Sequence, residues 1–378
     1  MTTVHTTGRA LADAATLIRK LAGRDAAARL IVTGDGRAIV EAVGHDVGIA
    51  EVVGTGTRPD GGRAAYAADL DGWRKLRKAG EVTIRDHGQG ATMTVGATSE
   101  GVTATITSAL DEAGELPAWP AFPGEREPIT VDARGPLADG VAASLRSVAE
   151  AAARDTYARE VLRSVNLSPG EAAATDSYRL NLGPIPTDPA PGEGHASGLI
   201  PAAWVRAIPR RGVERLTIVA EDGAGKDAGA CELHMLVRVG RGQTSYLRDV
   251  TVEGRTAPGP FPNYGALLPD ASDDDVTLIL TDELADVLAS MTGPTTVEVG
   301  GPVGQTVTLT DPSGVRATIG TATVGALDVA VNPDFLADLV DHVGAGTTLR
   351  LRDGLRAMVA TSEASERTTL LMPMRVPS

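Results

Sequence analysis

The sequence predicts an α+β protein of three similar domains, each built from two helix-plus-strand units. Three observations predict it: one pattern recurs six times, Pro-rich joints divide the chain, and the composition is rich in turns but poor in aromatics. The 378 residues are enough for two or three domains with sizeable cores. Hydrophobic residues make up 42% and aromatics only 3%, so those cores are built from Val, Leu, Ile and Ala. The 44 Gly and 23 Pro supply the many turns a strand-rich chain needs.

The repeated unit is a short amphipathic helix followed by a few strands. Helices are expected to begin near Arg9 (RALADAATLIRKLAG), Ala68 (DLDGWRKLRKAG), Ala133 (ARGPLADGVAASLRSVAEAAA) and Leu199 (LIPAAWVRAIPRR). A fifth begins near Leu280, where Thr281 precedes Asp282-Glu283, and a sixth near Val331, where Asn332-Pro333 reads as a cap with Pro at the first helical position. Alternating runs around Gly-rich turns lie between them, such as RLIVTGDGRAIVEAV, EVTIRDHGQGATMTV and TLRLRDGLRAMVAT. Units too small to bury their own faces pair into domains. The joints LPAWPAFPGEREP (116–128) and APGPFPN (257–263) place those domains at 1–124, 125–262 and 263–378.

Net charge is -14, which on its face argues against a nucleic-acid partner. Its distribution matters more. Residues 265–378 hold 6 Lys/Arg against 16 Asp/Glu, whereas residues 1–125 hold 13 against 16, so the acidity is concentrated in the last third. Arg19, Lys20 and Arg24 fall late in the first helix, and Arg74, Lys75, Arg77 and Lys78 crowd the second. Arg146 and Arg154 sit on the third, and Arg206, Arg210 and Arg211 on or after the fourth. Lys/Arg on a helix are usually a solvated face. Recurring at equivalent places in a repeated unit, they would instead follow a phosphate backbone without reading sequence.

The single Cys231 excludes an intrachain disulfide and argues against a Cys-based zinc site. No leader pattern and no run of about 18 apolar residues is read in the chain, so a cytoplasmic protein without a membrane partner is expected. Enzyme signals fail on inspection. In Ala220-Glu221-Asp222-Gly223-Ala224-Gly225-Lys226-Asp227 the first Gly of a phosphate loop is Ala and the Ser/Thr after Lys is Asp, so a hairpin turn is the better reading. Gly192-Glu193-Gly194-His195 lies in a Pro/Gly-rich loop, the six His lack ligand spacing, Cys231 reads as core, and Asp273-Asp274-Asp275 as a solvated loop.

The chain ends on Leu370-Leu371-Met372-Pro373-Met374-Arg375-Val376-Pro377-Ser378. Termini are normally polar, and Pro373 interrupts a ladder, so this segment is either a closing strand or one wall of an apolar pocket for partner peptides. Two further segments accompany it: Ala174-Thr175-Asp176-Ser177-Tyr178-Arg179-Leu180 and Phe261-Pro262-Asn263-Tyr264-Gly265-Ala266-Leu267-Leu268-Pro269. Together they resemble the ATDGHRL, FPDYxxxLP and C-terminal MPMR motifs of the bacterial DNA sliding clamp, the β subunit of DNA polymerase III.

The resemblance implies a head-to-tail homodimer whose six domains close into a ring around double-stranded DNA. It implies a processivity factor without catalytic residues or cofactor. Its partners would be the replicative polymerase's catalytic subunit, the clamp loader, and other polymerases and repair proteins with clamp-binding peptides. The peptide pocket carried over by motif comprises Leu162, Thr175, Ser177, Tyr178, Arg179 and Leu180. Pro262 and Leu267 come from the second segment, and Leu370, Met372, Pro373, Met374 and Arg375 from the tail. Leu162, Leu180, Leu267, Leu370 and the two Met would form the slot, with Arg179 and Arg375 orienting the peptide. For Thr175-Asp176 a turn-stabilising pair is an equal reading. DNA-facing candidates are Arg24, Arg74, Lys75, Arg77, Lys78, Arg206, Arg210 and Arg211. Ser177-Tyr178 replaces the commoner Gly-His pair, Gly265-Ala266 replaces residues often charged, and Ala289-Ser290-Met291 replaces an aliphatic pair at the ring interface. A divergent paralogue with altered partners or weak DNA loading is the alternative.

Overall fold

The computed structural model describes residues 3–44, 47–57, 64–86, 91–99, 102–110, 128–190, 197–221, 229–240, 245–269, 272, 275–300 and 306–374. The chain forms two compact units: Met1–Ala142 with Ala207–Asp222 and Ala228–Thr256, and Ala143–Arg206 with Gly223–Asp227 and Ala257–Ser378.

The chain opens with β1 (Thr3–Thr7) and α1 (Gly8–Leu21), where Thr7 Oγ1 accepts from the Ala10 amide at 3.1 Å. Leu11, Ala14, Ala15 and Ile18 form the buried stripe of α1, with Arg19 and Lys20 in its last turn. Strands β2 (Ala27–Val32), β3 (Arg37–Val43), β4 (Val47–Thr57) and β5 (Ala64–Ala67) follow. The second helix is shorter than its periodicity suggests. Helix α2 covers only Leu70–Arg74, capped by Asp69, and then tightens into a 3-10 turn over Lys75–Lys78. Gly72 in so short a segment gives up helix propensity, and buried Trp73 anchors the rest. Then come β6 (Glu81–Asp86), β7 (Ala91–Ser99), β8 (Val102–Leu110) and β9 (Ile129–Arg134).

Helix α3 runs Pro136–Ala149, later than the expected start at Ala133. Ala133 belongs to β9, and the chain turns at Gly135 (φ 60°) before Pro136 fixes the first helical dihedral. Next are β10 (Ser164–Ser168), β11 (Glu171–Thr175), β12 (Arg179–Pro184) and β13 (Gly198–Pro201). The fourth expected helix is mostly not helical: its start is β13, and α4 spans only Ala202–Val205, with Pro201 before it and Pro209 soon after. Strands β14 (Val213–Ala220), β15 (Ala230–Val239) and β16 (Tyr246–Arg255) return to the first unit. The turn expected at 220–227 and the loop at 192–195 lie largely or wholly outside the described residues, as do Asp273 and Asp274.

The last part contains β17 (Val276–Ile279), α5 (Asp282–Leu288), β18 (Thr295–Val299), β19 (Thr306–Thr310), β20 (Arg316–Gly320), β21 (Thr323–Val324) and β22 (Leu327–Val331). It closes with α6 (Pro333–Val343), β23 (Thr348–Leu351), β24 (Met358–Ser362) and β25 (Arg367–Leu371). Both expected caps are present: Thr281 Oγ1 accepts from Leu284 N at 3.1 Å and Asn332 Oδ1 from Asp334 N at 3.0 Å.

In the first unit one sheet runs β8-β7-β6-β1-β4-β16-β15-β14-β9, with β2, β3 and β5 branching from β4. Its β4–β16 ladder pairs Val52 with Asp249 through to Val47 with Gly254, so strands from two expected domains are one hydrogen-bonded surface. Fully buried Glu51 lies on that ladder and takes both Arg248 Nε (2.6 Å) and Nη2 (2.8 Å), a bidentate pair that offsets the cost of burying the charges. In the second unit the sheet order is β13-β10-β11-β12-β25-β24-β23-β17-β21, beside a four-stranded sheet β20-β19-β18-β22. Here β12–β25 pairing crosses the other expected boundary, with Leu180 opposite Leu370. These continuous ladders are why compactness gives two units. The joint at 116–127 lies outside the described residues.

Helices α5 and α6 bury Leu284, Leu288, Leu336, Leu339 and Val340 against Leu349, Leu351, Met358 and Leu371. Gly183 lets α3 approach β12, since a Cβ there would stand 2.9 Å from both Ser144 and Val148. His342 of α6 is buried between these elements. Its Nδ1 lies 2.6 Å from Ser147 Oγ and its Nε2 2.9 Å from the Leu182 carbonyl, so the neutral ring donates through Nε2 and accepts at Nδ1.

Burial, reinforced by the Arg367 charge, lowers the His342 imidazole from 6.5 to about 4. The unfolded chain therefore binds a proton in that window that the folded chain refuses. Stability from this group is complete above about pH 6.5 and declines as pH falls toward 4, by at most about 1.4 kcal/mol per pH unit. The expected result is that His342→Gln loses this part of the acid sensitivity in thermal melts taken from pH 7 to 4.5. Parallel melting-temperature profiles for both proteins would refute the assignment.

Candidate functional site

Alternation along the strands of the second unit sorts side chains onto two faces. Cross-strand partners form one row: Thr175 (β11), Leu180 (β12), Leu370 (β25), Val359 (β24) and Arg350 (β23). On that face Ala173, Leu180, Leu182, Val359 and Leu370 form an apolar cluster, with Phe261, Tyr264, Leu268 and Ala357 packed against it. The opposite face carries Arg179, Asn181, Thr369 and Leu371 toward α3 and α6. The three segments singled out in the sequence thus converge on one surface.

The β11–β12 turn is over-determined. Thr175 Oγ1 donates to the Arg179 carbonyl (2.6 Å) and accepts from Ser177 N (3.1 Å). Asp176 Oδ1 accepts from the amides of Tyr178 and Arg179, both at 3.0 Å. Thr175 and Asp176 are therefore turn-building residues. Ser177 sits at φ 78°, a conformation that favours Gly, and the four bonds hold it there. The turn presents Tyr178, 65% exposed, at the rim.

Arg179 does not line the slot. Its Nε bonds Asp176 Oδ2 at 3.0 Å, Nη1 bonds Asp338, and Nη2 donates to the Glu150 carbonyl at 2.8 Å. The guanidinium also stacks 4.2 Å over the Phe335 ring. The expected peptide-orienting donor is thus spent inward, because residue 179 has the opposite strand parity to Leu180. It positions the turn and ties β12 to α3 and α6.

Leu162 packs with Val161, Leu199 and Ala257, sharing Phe261 with the apolar cluster. Pro262 is half-buried, and Leu267 stands 59% exposed on a short 3-10 turn. Beyond β25 the tail stays hydrogen-bonded: Met372 N donates to the Tyr178 carbonyl (2.8 Å) and Met374 N to the Ala330 carbonyl (2.7 Å). Pro373 between them is half-buried, and both Met side chains are 37% exposed. Arg375 lies outside the described residues. Phe261, Tyr264, Ala357 and Val359 were missed as site residues. The first two stand inside a recognised motif, in T-shaped contact at 6.0 Å, with Tyr264 Oη donating to Glu171 at 2.6 Å.

The basic candidates divide similarly. Arg74, Lys75 and Lys78 are exposed and make no ion pair among the described residues, and Arg24 is exposed just after α1. Thr16, Asp71, Arg74, Lys75 and Arg77 line a shallow hollow between α1 and α2. Arg77 pairs with Asp13 (2.9 Å), as Arg19 does with Asp71 (2.9 Å), so part of this charge braces the two helices. Arg210 and Arg211 are exposed beyond α4. Arg206 departs from the expectation: its Nη2 donates to the carbonyls of Ala149 and Ala152, capping the C-terminal end of α3. Among the described residues no group of three or more His, Cys, Asp or Glu could hold a metal ion, and no helix is long and apolar enough to cross a membrane. Burial raises the Cys231 thiol far above its usual range, which disfavours the thiolate a nucleophile needs.

Over its whole length the chain has the fold of solved bacterial sliding clamps. It matches the DNA polymerase III β subunit of Thermotoga maritima at a TM-score of 0.72 and 18% identity, covering 100% of both chains. The DNA polymerase sliding clamp of Bacillus subtilis gives 0.72 and 15%, again with 100% of both covered. The Helicobacter pylori β clamp bound to a DNA ligase peptide gives 0.71 and 14%, covering 99% of this chain and 100% of that one. No protein-family model and no curated protein matches the sequence.

If Arg179 positions the turn, Arg179→Gln removes charge-assisted bonds and leaves Asp176 without its cation, at a cost of about 2–4 kcal/mol. Denaturant unfolding should show that loss, and hydrogen exchange should accelerate at the amides of Tyr178 and Met372. Unchanged protection at both amides would remove the positioning role.

Proposed function

We propose that this protein is a DNA sliding clamp. Two copies would close head to tail around duplex DNA, each contributing three domains (1–124, 125–262 and 263–378). It would tether the replicative polymerase and other DNA-processing proteins through the slot, and be opened by a clamp loader. Its role is retention on DNA, not catalysis. The observation that carries the reading is the single sheet face that gathers ATDSYRL, FPNYGALLP and the Leu-Met-Pro-Met tail, segments nearly 200 residues apart. The clamp fold supports it. Exposed Arg24, Arg74, Lys75 and Lys78 supply charge suited to phosphates without base readout. Tyr178 at the slot's rim favours a divergent paralogue with its own partners as the second reading.

Removing Met372–Ser378 deletes the tail wall and two backbone hydrogen bonds, about 1–3 kcal/mol. The truncated protein should fold and sediment as wild type, at about twice 38.8 kDa, yet lose affinity for clamp-binding peptides at least tenfold. Undiminished peptide affinity would sink the slot assignment, and a strict monomer at micromolar concentration would sink the ring. Changing Arg24, Arg74, Lys75 and Lys78 together to Ala should shorten retention on circular DNA equally for all sequences and flatten the salt dependence. Retention equal to wild type would remove these residues from the DNA face.

A further inference from the structure

Residues 265–378 hold only 6 Lys/Arg against 16 Asp/Glu, yet three of the six, Arg350, Arg352 and Arg356, fall in one hairpin. That hairpin belongs to the sheet that carries the slot. Arg350 is the cross-strand partner of Val359, which is the partner of Leu370, which is the partner of Leu180. Directly opposed residues of an antiparallel sheet project to the same side, so Arg350 shares the slot's face. It stands two strand spacings from Leu370, about 10 Å.

The three arginines converge with Pro269 and Asp275 on a small cleft whose other walls are Ala357 and Val359. Those two side chains also belong to the slot's apolar cluster, so cleft and slot share a wall. The cavity volume is about 20 Å³, room for a small polar head and not for a ring. Its charges are unevenly matched. Arg352 Nε is held by Asp275 at 2.8 Å, and that carboxyl is pushed down mainly by the bond to Arg352. Arg356 reaches Asp353 only at 3.3 Å, on an exposed edge where Asp353 also accepts the amides of Leu355 and Arg356. Arg350 makes no ion pair among the described residues. Among the described residues Arg350 is thus a guanidinium without an ion pair beside an apolar surface, in an otherwise acidic segment.

We infer that the slot extends into a carboxylate subsite, in which Arg350 and Arg356 receive an Asp or Glu side chain of the bound peptide. This rests on the slot being a peptide site. The spacing puts the acid about three extended residues from the anchor lying over Leu180 and Leu370. Planar guanidinium forks suit a carboxylate, and a site flanked by low-dielectric apolar walls loses less of that attraction to solvent. Partners are then selected by charge as well as by the apolar anchor.

The test uses two labelled peptides built on a Leu-Leu-Phe anchor. One has an Asp three residues to either side, and its twin has Asn at both places. Fluorescence anisotropy should show the Asp peptide binding wild type at least fivefold more tightly at low salt. The advantage should vanish in the Arg350→Gln/Arg356→Gln double variant, while the Asn peptide binds both proteins alike. That unchanged Asn binding also certifies the variant's fold. Equal affinity of the two peptides for wild type, or an advantage that survives in the variant, overturns the subsite and leaves the slot standing. Failure of both peptides to bind folded wild type instead overturns the slot, and the subsite with it. Competition of the Asp peptide by a duplex oligonucleotide, lost in the variant, would assign the arginines to DNA and also overturn the proposal.

Discussion

The second unit depends on the register of one short ladder, β12 against β25. Four cross-strand pairs, from Arg179–Leu371 to Leu182–Thr368, decide which side chains face the slot and which face the helices. A slip of one residue would exchange the faces, burying the slot's residues and exposing the helix contacts. Buried polar groups fix the register. Thr369 Oγ1 donates to Asn181 Oδ1 at 2.6 Å, and Asn181 Nδ2 donates to the Ser147 carbonyl at 3.1 Å. Any other register would leave these groups unsatisfied, at about 1–3 kcal/mol each. Apolar pairs such as Leu180–Leu370 supply adhesion but would tolerate a slip. The polar ones supply uniqueness.

The same division of labour applies to the arginines. Arg179, Arg206 and Arg248 point inward and are consumed by carboxylates or helix-end carbonyls. They join elements far apart in sequence, which a planar five-donor group does better than an ammonium. Arg74, Lys75 and Lys78 point outward from a short helix and its 3-10 continuation. Counting basic residues cannot separate these roles, because side-chain direction is set by strand parity and helix packing.

That is also the limit of what was legible in the sequence. Local signals served well where structure is local: α6 and α5 begin where Asn332 and Thr281 cap them, and α1 begins at Gly8, beside the expected Arg9. They served poorly where a Gly or Pro intervenes, so the second helix is cut to one turn plus a 3-10 turn and the fourth becomes strand β13 with a single helical turn. The three slot segments could be named, but their common face could not be derived, because pairing between residues 180 and 370 leaves no local trace. Arg179 is the instructive case. Its position in a motif beside Leu180 suggested a shared pocket, whereas adjacent residues of a strand must face opposite ways. Val359 and Ala357 went unnoticed for the converse reason, being ordinary strand residues made important only by their neighbours.

The β11–β12 turn carries this logic to the slot's selectivity. Where the resembled motif has Gly, this chain places Ser177 at φ 78°, a backbone state that costs a β-carbon residue about 1 kcal/mol or more. The turn persists because Thr175 and Asp176 satisfy its amides from both sides and Arg179 anchors Asp176 from beneath. Tyr178 is therefore held on a rigid support, its carbonyl already bonded to Met372 N. On the proposed reading, a bulky ring at one end of the slot and Arg350 with Arg356 at the other would constrain a bound peptide from both directions. The apolar floor of Leu180, Leu370 and Val359 would accept many anchors, since burial is non-directional. Discrimination would then come from the ends, through the shape of Tyr178 and the charge of Arg350.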